Sequence, residues 1–197
     1  MNVSAVIVTR GNVDLTPVLE SLPSEWEQVV WDNSVEQDLS VYGRYEAALT
    51  RASHDRIYFQ DDDCVLAPES FDALLANNMN CTHVALTANM PERFRYDFYE
   101  HHCLVGFGCI TPRILIEMAF AKWERAGYYD SDPGWMGRVC DVIFTGLTLP
   151  ECRRLVDVPY EDLPWATAMD RMYRSTAHVG ERMKAALRCR EILERAA

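Results

Sequence analysis

Three consecutive aspartates, Asp61, Asp62 and Asp63, stand directly after the apolar segment 57–60 (IYFQ). Adjacent carboxylates raise one another's pKa unless a cation or a hydrogen-bond donor neutralises them. Hard divalent cations such as Mg2+ and Mn2+ prefer oxygen ligands, and Mg2+ commonly takes one or two carboxylates together with substrate phosphates. The three-aspartate segment therefore predicts a site at which a divalent metal links the protein to a diphosphate.

Polar residues also follow the two apolar segments that come earlier in the chain. An isolated aspartate in such a place usually caps a helix or a turn. Ligands of open α/β sheets, however, bind outside the carboxyl ends of the strands, and three polar strand ends on one edge predict a binding site. The residues concerned are Thr9 and Arg10, Asp32 and Asn33, and the three aspartates, with Arg44 between the last two groups.

The segment after the first apolar run excludes two common classes of nucleotide-binding protein. It reads TRGNVD, with a single glycine. P-loop NTPases and dinucleotide-dependent dehydrogenases carry glycine-rich loops at this position. We therefore expect neither class.

The elements that must position these residues alternate between strand and helix. Continuous β-branched or apolar runs predict strands over 3–8, 27–34 and 55–60, and helical spacing predicts helices over 16–22 and 42–52. Strand–helix–strand repeats indicate a parallel sheet with right-handed crossovers. The fold class predicted from this alternation is α/β.

The second half of the chain continues this pattern less regularly. It predicts helices over 68–77, 112–126, 138–148 and 178–196, strands over 81–88, 102–110 and 152–159, a loop over 127–137, and no clear period over 159–177. We find no linker or repeat, so we expect one domain over 1–197, with sections 1–66, 67–158 and 159–197.

Composition excludes several further classes of protein. The chain of 197 residues has a formal net charge of −11, which opposes bulk attraction to nucleic acid or anionic lipid. Its seven cysteines form no CxxC pair, so neither a zinc site nor a disulfide framework is expected, and buried thiols in a reducing cytosol fit better. There is no membrane-length apolar run and no leader sequence, which predicts a cytoplasmic protein without membrane insertion.

Several segments together resemble one enzyme family. SAVIVTRGN, VVWDNS, RYEAALTRASHDRIYFQDDDC and GRVCDVIFTGL look like a small GT-A glycosyltransferase of the family 2 type. The resemblance implies a GT-A (Rossmann-like) sheet that binds a nucleotide-diphospho-sugar, and an Asp-X-Asp motif that holds Mn2+ or Mg2+.

The resemblance also implies roles for the residues at the strand ends. Asp32 would lie at the base, with uracil favoured because its ring N–H can donate to Asp32, and this makes a UDP-sugar the expected donor. Asn33 would belong to the nucleotide-binding site. Asp62 is the X position of the Asp-X-Asp motif and could contact the ribose and sugar, as Asp61 would, or the metal, as Asp63 would. Thr9 and Arg10 would line the nucleotide site, and Arg44 would contact the base or the phosphates. Asp61 would lie near the ribose and the sugar, and Asp63 would bind the metal.

Asp141 matches the general base of inverting members of the family. In those enzymes the base belongs to an Xaa-Glu-Asp motif, but Cys140 stands here in place of the glutamate. Asp130 and Asp132 in the preceding segment are rival bases, and Asp141 could also serve simply as negative charge near a helix N-terminus. His178 would be a further metal ligand that closes over the diphosphate, unless it is a surface or capping residue.

The sequence as a whole thus predicts a metal-dependent, inverting glycosyltransferase. Rival classes are a nucleotidyltransferase, which would usually carry a glycine- and lysine-rich loop after its first strand, and a noncatalytic sugar-nucleotide-binding module. The acceptor stays open between a glycan, a protein, a small molecule and a hydroxymethylated DNA base. The last follows from a resemblance to phage-encoded glycosyltransferases, which would place the protein in a host cytoplasm.

Overall fold

The strands form two sheets in the computed structural model, which describes residues 2–79, 86–90, 105–128, 134–148, 152–167 and 176–196. The strands are β1 (Ser4–Thr9), β2 (Glu27–Asp32), β3 (Arg56–Asp61), β4 (Cys64–Leu66), β5 (Leu86–Asn89), β6 (Cys109–Pro112), β7 (Arg153–Val156) and β8 (Tyr160–Asp162). Six strands form the central sheet in the order β2-β1-β3-β6-β5-β7, and β4 and β8 form a separate pair.

Five strands of the central sheet run in one direction. β1 is parallel to β2 and β3, β5 is parallel to β7, and β6 is antiparallel to both β3 and β5. Thr9, Asp32 and Asp61 therefore end neighbouring strands on one side, which we call the carboxyl edge. All six residues of β1 are buried, as expected for a strand covered on both faces. The predicted open, mostly parallel α/β sheet flanked by helices is confirmed.

Helices cover both faces of the sheet. Alternate residues of β3 enter separate cores, because Ile57 and Phe59 belong to the larger hydrophobic cluster and Tyr58 to a smaller one. The helices are α1 (Thr16–Ser21), α2 (Gly43–Thr50), α3 (Pro68–Met79), α4 (Arg113–Arg125), α5 (Trp135–Leu147) and α6 (Thr176–Ala196). The larger cluster contains residues of α2, α4, α5 and α6, and the smaller contains residues of α3.

Some element boundaries differ from those predicted. α5 begins at Trp135, inside the predicted loop 127–137, because Gly137 belongs to the helix. A Cβ atom on Gly137 would lie 2.5 Å from the Ser40 Cβ atom, so this glycine permits close packing and does not mark a turn. The predicted strand 102–110 begins only at Cys109 within the described residues, and the pairing of β4 with β8 was not predicted.

The described helices and the free cysteines are typical of a globular protein with a packed core. Within the described ranges no helix is both long and apolar enough to cross a membrane. Cys64, Cys109, Cys140 and Cys189 are buried free thiols, and Cys152 is half-buried and free.

Candidate functional site

Arg44 is buried at the carboxyl edge and forms an ion pair with Asp61. Arg44 lies in the first turn of α2 and is 1% exposed, and its Nη2 atom contacts Oδ1 of Asp61, the last residue of β3. Burial by itself lowers the pKa of the Arg44 guanidinium, but the carboxylates of Asp61 and Asp141 raise it above its usual value. Asp61 therefore has a permanent cation on its buried side, while its side chain stays 36% exposed.

Two further donors of Arg44 are buried without a partner. Among the described residues neither its Nε nor its Nη1 atom has a hydrogen bond. Leaving a buried donor unsatisfied costs about 1–3 kcal/mol, and more for a charged group. Groups of this kind in a native fold are concentrated at functional sites.

Asp141 is a second carboxylate whose charge acts on Arg44. It lies in α5 and is half-buried, and its Oδ1 atom accepts a 2.7 Å hydrogen bond from the Tyr45 hydroxyl. Burial raises the pKa of Tyr45 well above its usual value, and the Asp141 carboxylate raises it further, so the phenol stays protonated and donates. We call Arg44, Tyr45, Asp61 and Asp141 the charge cluster. Three of its four members were predicted as site residues, and the structure brings them together.

Thr9 and Asp62 hold each other where β1 and β3 end. Burial raises the pKa of Asp62, while a hydrogen bond with the Thr9 side chain acts in the opposite direction. The Thr9 Oγ1 atom also accepts from the backbone N–H of Gly11 at 3.1 Å. Arg10 is exposed, and its charge acts on Asp62. These contacts fix Thr9 and Asp62 at the carboxyl edge, where a nucleotide site was predicted.

The three-aspartate turn is held by the last part of the chain. Leu163 donates its backbone N–H to the Asp63 carbonyl at 2.8 Å, and the Trp165 Nε1–H donates to the Asp62 carbonyl at 2.7 Å. The adjoining β4 strand pairs with β8. Trp165 therefore has a structural role here, since its ring also packs against the buried cluster of Ile7, Val18 and Leu163.

The carboxylates of the turn fit a divalent cation in part. No three His, Cys, Asp or Glu side chains within the described ranges are grouped so as to hold a metal. Asp61 is paired with Arg44 and Asp62 with Thr9, and the metal role of Asp63 stays a prediction. One carboxylate completed by substrate phosphates is an ordinary Mg2+ arrangement. His178 belongs to the first turn of α6, and its side chain lies outside the described residues, as do Asp130 and Asp132.

Asp32 and Asn33 stabilise the loop that follows β2. Oδ1 of Asp32 accepts from the backbone N–H and the hydroxyl of Ser34, at 2.8 and 2.7 Å. Nδ2 of Asn33 donates to the Ser40 carbonyl at 3.2 Å, and its Oδ1 atom accepts from the Leu39 backbone N–H at 3.0 Å. Both residues are at the carboxyl edge as predicted, and their side chains also serve the backbone.

Gly106 lies against Asp61. The backbone N–H of Asp61 donates to the Gly106 carbonyl at 2.7 Å, and a Cβ atom on Gly106 would lie 1.9 Å from Oδ2 of Asp61. Any other residue would displace the carboxylate. The glycine therefore permits the close approach of the backbone to Asp61.

Sequence reasoning missed Tyr45. An aromatic residue at an apolar position of a helix is typical of a core, and its ring does lie 5.2 Å from Phe59, 5.0 Å from Phe120 and 5.4 Å from Phe144. The hydroxyl's partner is 96 residues away in the chain. No local pattern in the sequence indicates that contact.

The fold is similar to that of a glycosyltransferase of known structure. A mannosyltransferase from Pyrobaculum calidifontis, in complex with GDP-Man and Mn2+, matches with a TM-score of 0.57 and 16% sequence identity, over 94% of this chain and 64% of that one. This chain therefore spans less than two-thirds of that protein. The likeness supports the GT-A-like fold class predicted from the sequence.

Weaker similarities extend to two other structures. Protein A197 from STIV matches with a TM-score of 0.49 and 18% identity, over 80% of this chain and 82% of that one. A 4-diphosphocytidyl-2C-methyl-D-erythritol synthase from Anaerococcus prevotii matches with a TM-score of 0.47 and 11% identity, over 95% and 98%. No protein-family model matches the chain, and no curated protein matches its sequence.

Proposed function

We propose that the chain is a metal-dependent, inverting glycosyltransferase that moves a sugar from a nucleotide-diphospho-sugar to a hydroxyl acceptor. The observation that carries the proposal is the charge cluster. A carboxylate at the end of β3 and another on α5 lie close to the same buried arginine, in a fold that resembles a GDP-Man-bound mannosyltransferase. Two carboxylates in different surroundings can take two different roles.

The donor side of the proposed site comprises the ends of β1, β2 and β3. Thr9, Arg10 and Asp62 would line the nucleotide, Asp32 would meet the base, and Asp61 would contact the ribose and sugar. Asn33 would support this side of the site through the loop after β2. Arg44 would act from behind Asp61, because its guanidinium is buried and paired with that carboxylate. We expect a UDP-sugar donor, since the N–H of uracil can donate to Asp32.

Asp63, assisted by His178, would hold Mn2+ or Mg2+ against the diphosphate. Such a cation supplies neutralisation of the charge that develops on the leaving group. The protein's own contribution is to hold the turn rigid through Leu163 and Trp165.

Asp141 would be the general base for the acceptor. Its carboxylate takes the proton of the acceptor hydroxyl while that oxygen bonds to the anomeric carbon. The bond from the anomeric carbon to the diphosphate oxygen breaks, and the nucleoside diphosphate leaves with the bonding electron pair. A single displacement of this kind inverts the anomeric configuration. The acceptor class stays open, and a hydroxymethylated DNA base is one candidate.

The test is transfer from labelled UDP-sugars to a panel of small-molecule, glycan, protein and hydroxymethylated-DNA acceptors with Mn2+. We expect transfer to one class, with an inverted product by NMR. In Asp141→Asn, kcat should fall by about 10²–10⁴-fold, as is typical for loss of a general base, with nearly unchanged UDP affinity.

Matched variants and a second assay separate the alternatives. Asp130→Asn and Asp132→Asn should each cost less than about tenfold in kcat, within the range left for groups that are not the base. A larger loss at Asp132 than at Asp141, or a retained anomeric configuration, would contradict the assignment. Release of pyrophosphate from a nucleoside triphosphate and a sugar phosphate would instead indicate a nucleotidyltransferase.

A further inference from the structure

Tyr45 contacts the proposed base through a hydrogen bond whose direction is fixed. A neutral phenol has one proton to donate, and a carboxylate can only accept. The Tyr45 hydroxyl therefore donates to Oδ1 of Asp141. The Cys140 Sγ atom also faces Oδ1, at 3.8 Å. Among the described residues no hydrogen bond reaches Oδ2 of Asp141, so that oxygen is left to receive a proton.

The position of the Tyr45 hydroxyl is itself fixed by packing. The residue is 0% exposed, and its ring is held between Phe59 of β3, Phe120 of α4 and Phe144 of α5. A donor on a ring enclosed from three elements can hold a carboxylate in one orientation at little entropic cost. A reacting group held in this way gains rate, because misplacement by about 1 Å can cost about 10²-fold.

We propose that Tyr45 is a positioning residue that fixes the Asp141 carboxylate with Oδ2 presented to the acceptor hydroxyl. This inference rests on the proposed function, in which Asp141 is the base. Arg44, which precedes Tyr45 on α2, interacts with the Asp141 carboxylate through its charge and forms an ion pair with Asp61. Two neighbouring residues of one helix thus link the donor side of the site to the acceptor side.

The chain offers a matched control in Tyr58. It is also 0% exposed, and its hydroxyl donates to Oε1 of Gln60, but it lies in the smaller core on the other face of the sheet. Tyr45→Phe and Tyr58→Phe each remove one buried phenolic hydroxyl. They should cost similar stability, so any difference in kcat reports the contact with Asp141.

The experiment measures kcat, KM for the donor, UDP affinity and Tm for Tyr45→Phe, Tyr58→Phe, Asp141→Asn and the double variant Tyr45→Phe/Asp141→Asn. We expect Tyr45→Phe to lower kcat by about tenfold to a hundredfold, the range for a lost hydrogen bond to a charged group, with donor KM and UDP affinity unchanged. Tyr58→Phe should keep kcat within about threefold, well below that range. The double variant should be no slower than Asp141→Asn, because residues that act through one group are not additive.

The outcomes distinguish the two proposals. A large loss in Asp141→Asn with an unchanged kcat in Tyr45→Phe overturns the role of Tyr45 and leaves the base assignment intact, as does a full additional loss in the double variant. An unchanged kcat in Asp141→Asn overturns the base and the role of Tyr45 together. If Tyr45→Phe does not fold, a slowly exchanging Tyr45 hydroxyl proton in the NMR spectrum of the native protein, lost in Asp141→Ala, supports the contact, and its absence from the native spectrum overturns it.

Discussion

At the end of β2, the side chains of Asp32 and Asn33 bond to the backbone of the loop that follows. At the end of β3, by contrast, Asp61 is paired with a fully buried arginine that keeps two donor atoms without partners in the described structure. Both strands end in polar residues, and both were predicted as parts of one site. In the first arrangement the polar side chains bond to their own loop, and in the second a buried guanidinium paired with Asp61 keeps two further donors unsatisfied among the described residues.

The difference shows which side of the edge was built at a cost to stability. Side chains that bond to the backbone of their own loop are explained by folding alone. Buried charged groups with unsatisfied donors raise the free energy of the folded state. Their presence in a native fold is explained by a further partner or by a function. The charge cluster is therefore the stronger indication of function, and the loop after β2 the stronger indication of a rigid support.

The largest effect should follow from removing the buried cation. In Arg44→Met the Asp61 carboxylate loses its partner, and we expect the free energy of unfolding to fall by about 1–3 kcal/mol, less than for a fully buried pair, because Asp61 is 36% exposed and the two unsatisfied donors of Arg44 are removed with it. Urea denaturation measures this. The control is Arg51→Met, which breaks an exposed pair with Glu36 and should cost far less, because exposed pairs contribute little. Equal losses would remove the contrast between the two sides.

The next effect concerns the three-aspartate turn. Asp63→Ala should weaken the Mn2+-dependent affinity for UDP by more than about 100-fold, since even the loss of an outer partner of a metal ligand costs about 10–100-fold. Calorimetry with and without Mn2+ checks this. Asp162→Asn removes another carboxylate that acts on Cys64 and should have little effect. Unchanged affinity in Asp63→Ala would move the metal elsewhere.

A smaller effect is expected on the side of the edge whose groups are satisfied. Asn33→Ala removes two hydrogen bonds to the loop backbone, and we expect a loss of about 1–2 kcal/mol in unfolding free energy. UDP affinity should fall less than it does in Asp63→Ala. If Asn33→Ala instead weakens UDP binding strongly at unchanged stability, the side chain contacts the base directly and the loop role assigned to it is wrong.

The smallest effect is the choice of base. A tenfold preference for UDP over GDP corresponds to about 1.4 kcal/mol and should appear as a Tm about 3–5 °C higher with UDP at equal saturating concentration. A thermal-shift series with UDP, ADP and GDP measures it. A higher Tm with a purine nucleotide would contradict the contact proposed for Asp32.

The sequence predicted the sheet because its signals are local. The β-branched run of β1 and the polar residues that end β1, β2 and β3 are visible within a few residues of the chain. The same signals placed Thr9, Asp32 and Asp61 on one edge, as the structure has them.

Contacts between distant segments could not be predicted. Nothing near Arg44 indicates that it is buried, since arginine on a helix is usually exposed. Tyr45 reads as a core aromatic, and its polar partner lies on a helix almost a hundred residues away. β4 and β8 span three residues each, too short for a period to appear, and each exists because the other pairs with it.

The pairing of β4 with β8 also has a consequence for biosynthesis. The hydrogen bonds to the backbone of the three-aspartate turn come from the Leu163 backbone N–H and the Trp165 indole N–H, the latter 103 residues beyond Asp62. At a translation rate of about 5–20 residues per second, roughly 5–20 s pass between synthesis of the turn and synthesis of its support. The parallel strands β1, β2 and β3 can assemble on the ribosome during that interval, while the acidic turn stays open. A nascent chain that ends before about residue 165 therefore lacks the two donors that hold the turn, and the proposed metal-dependent nucleotide binding should arise only after those residues are synthesised.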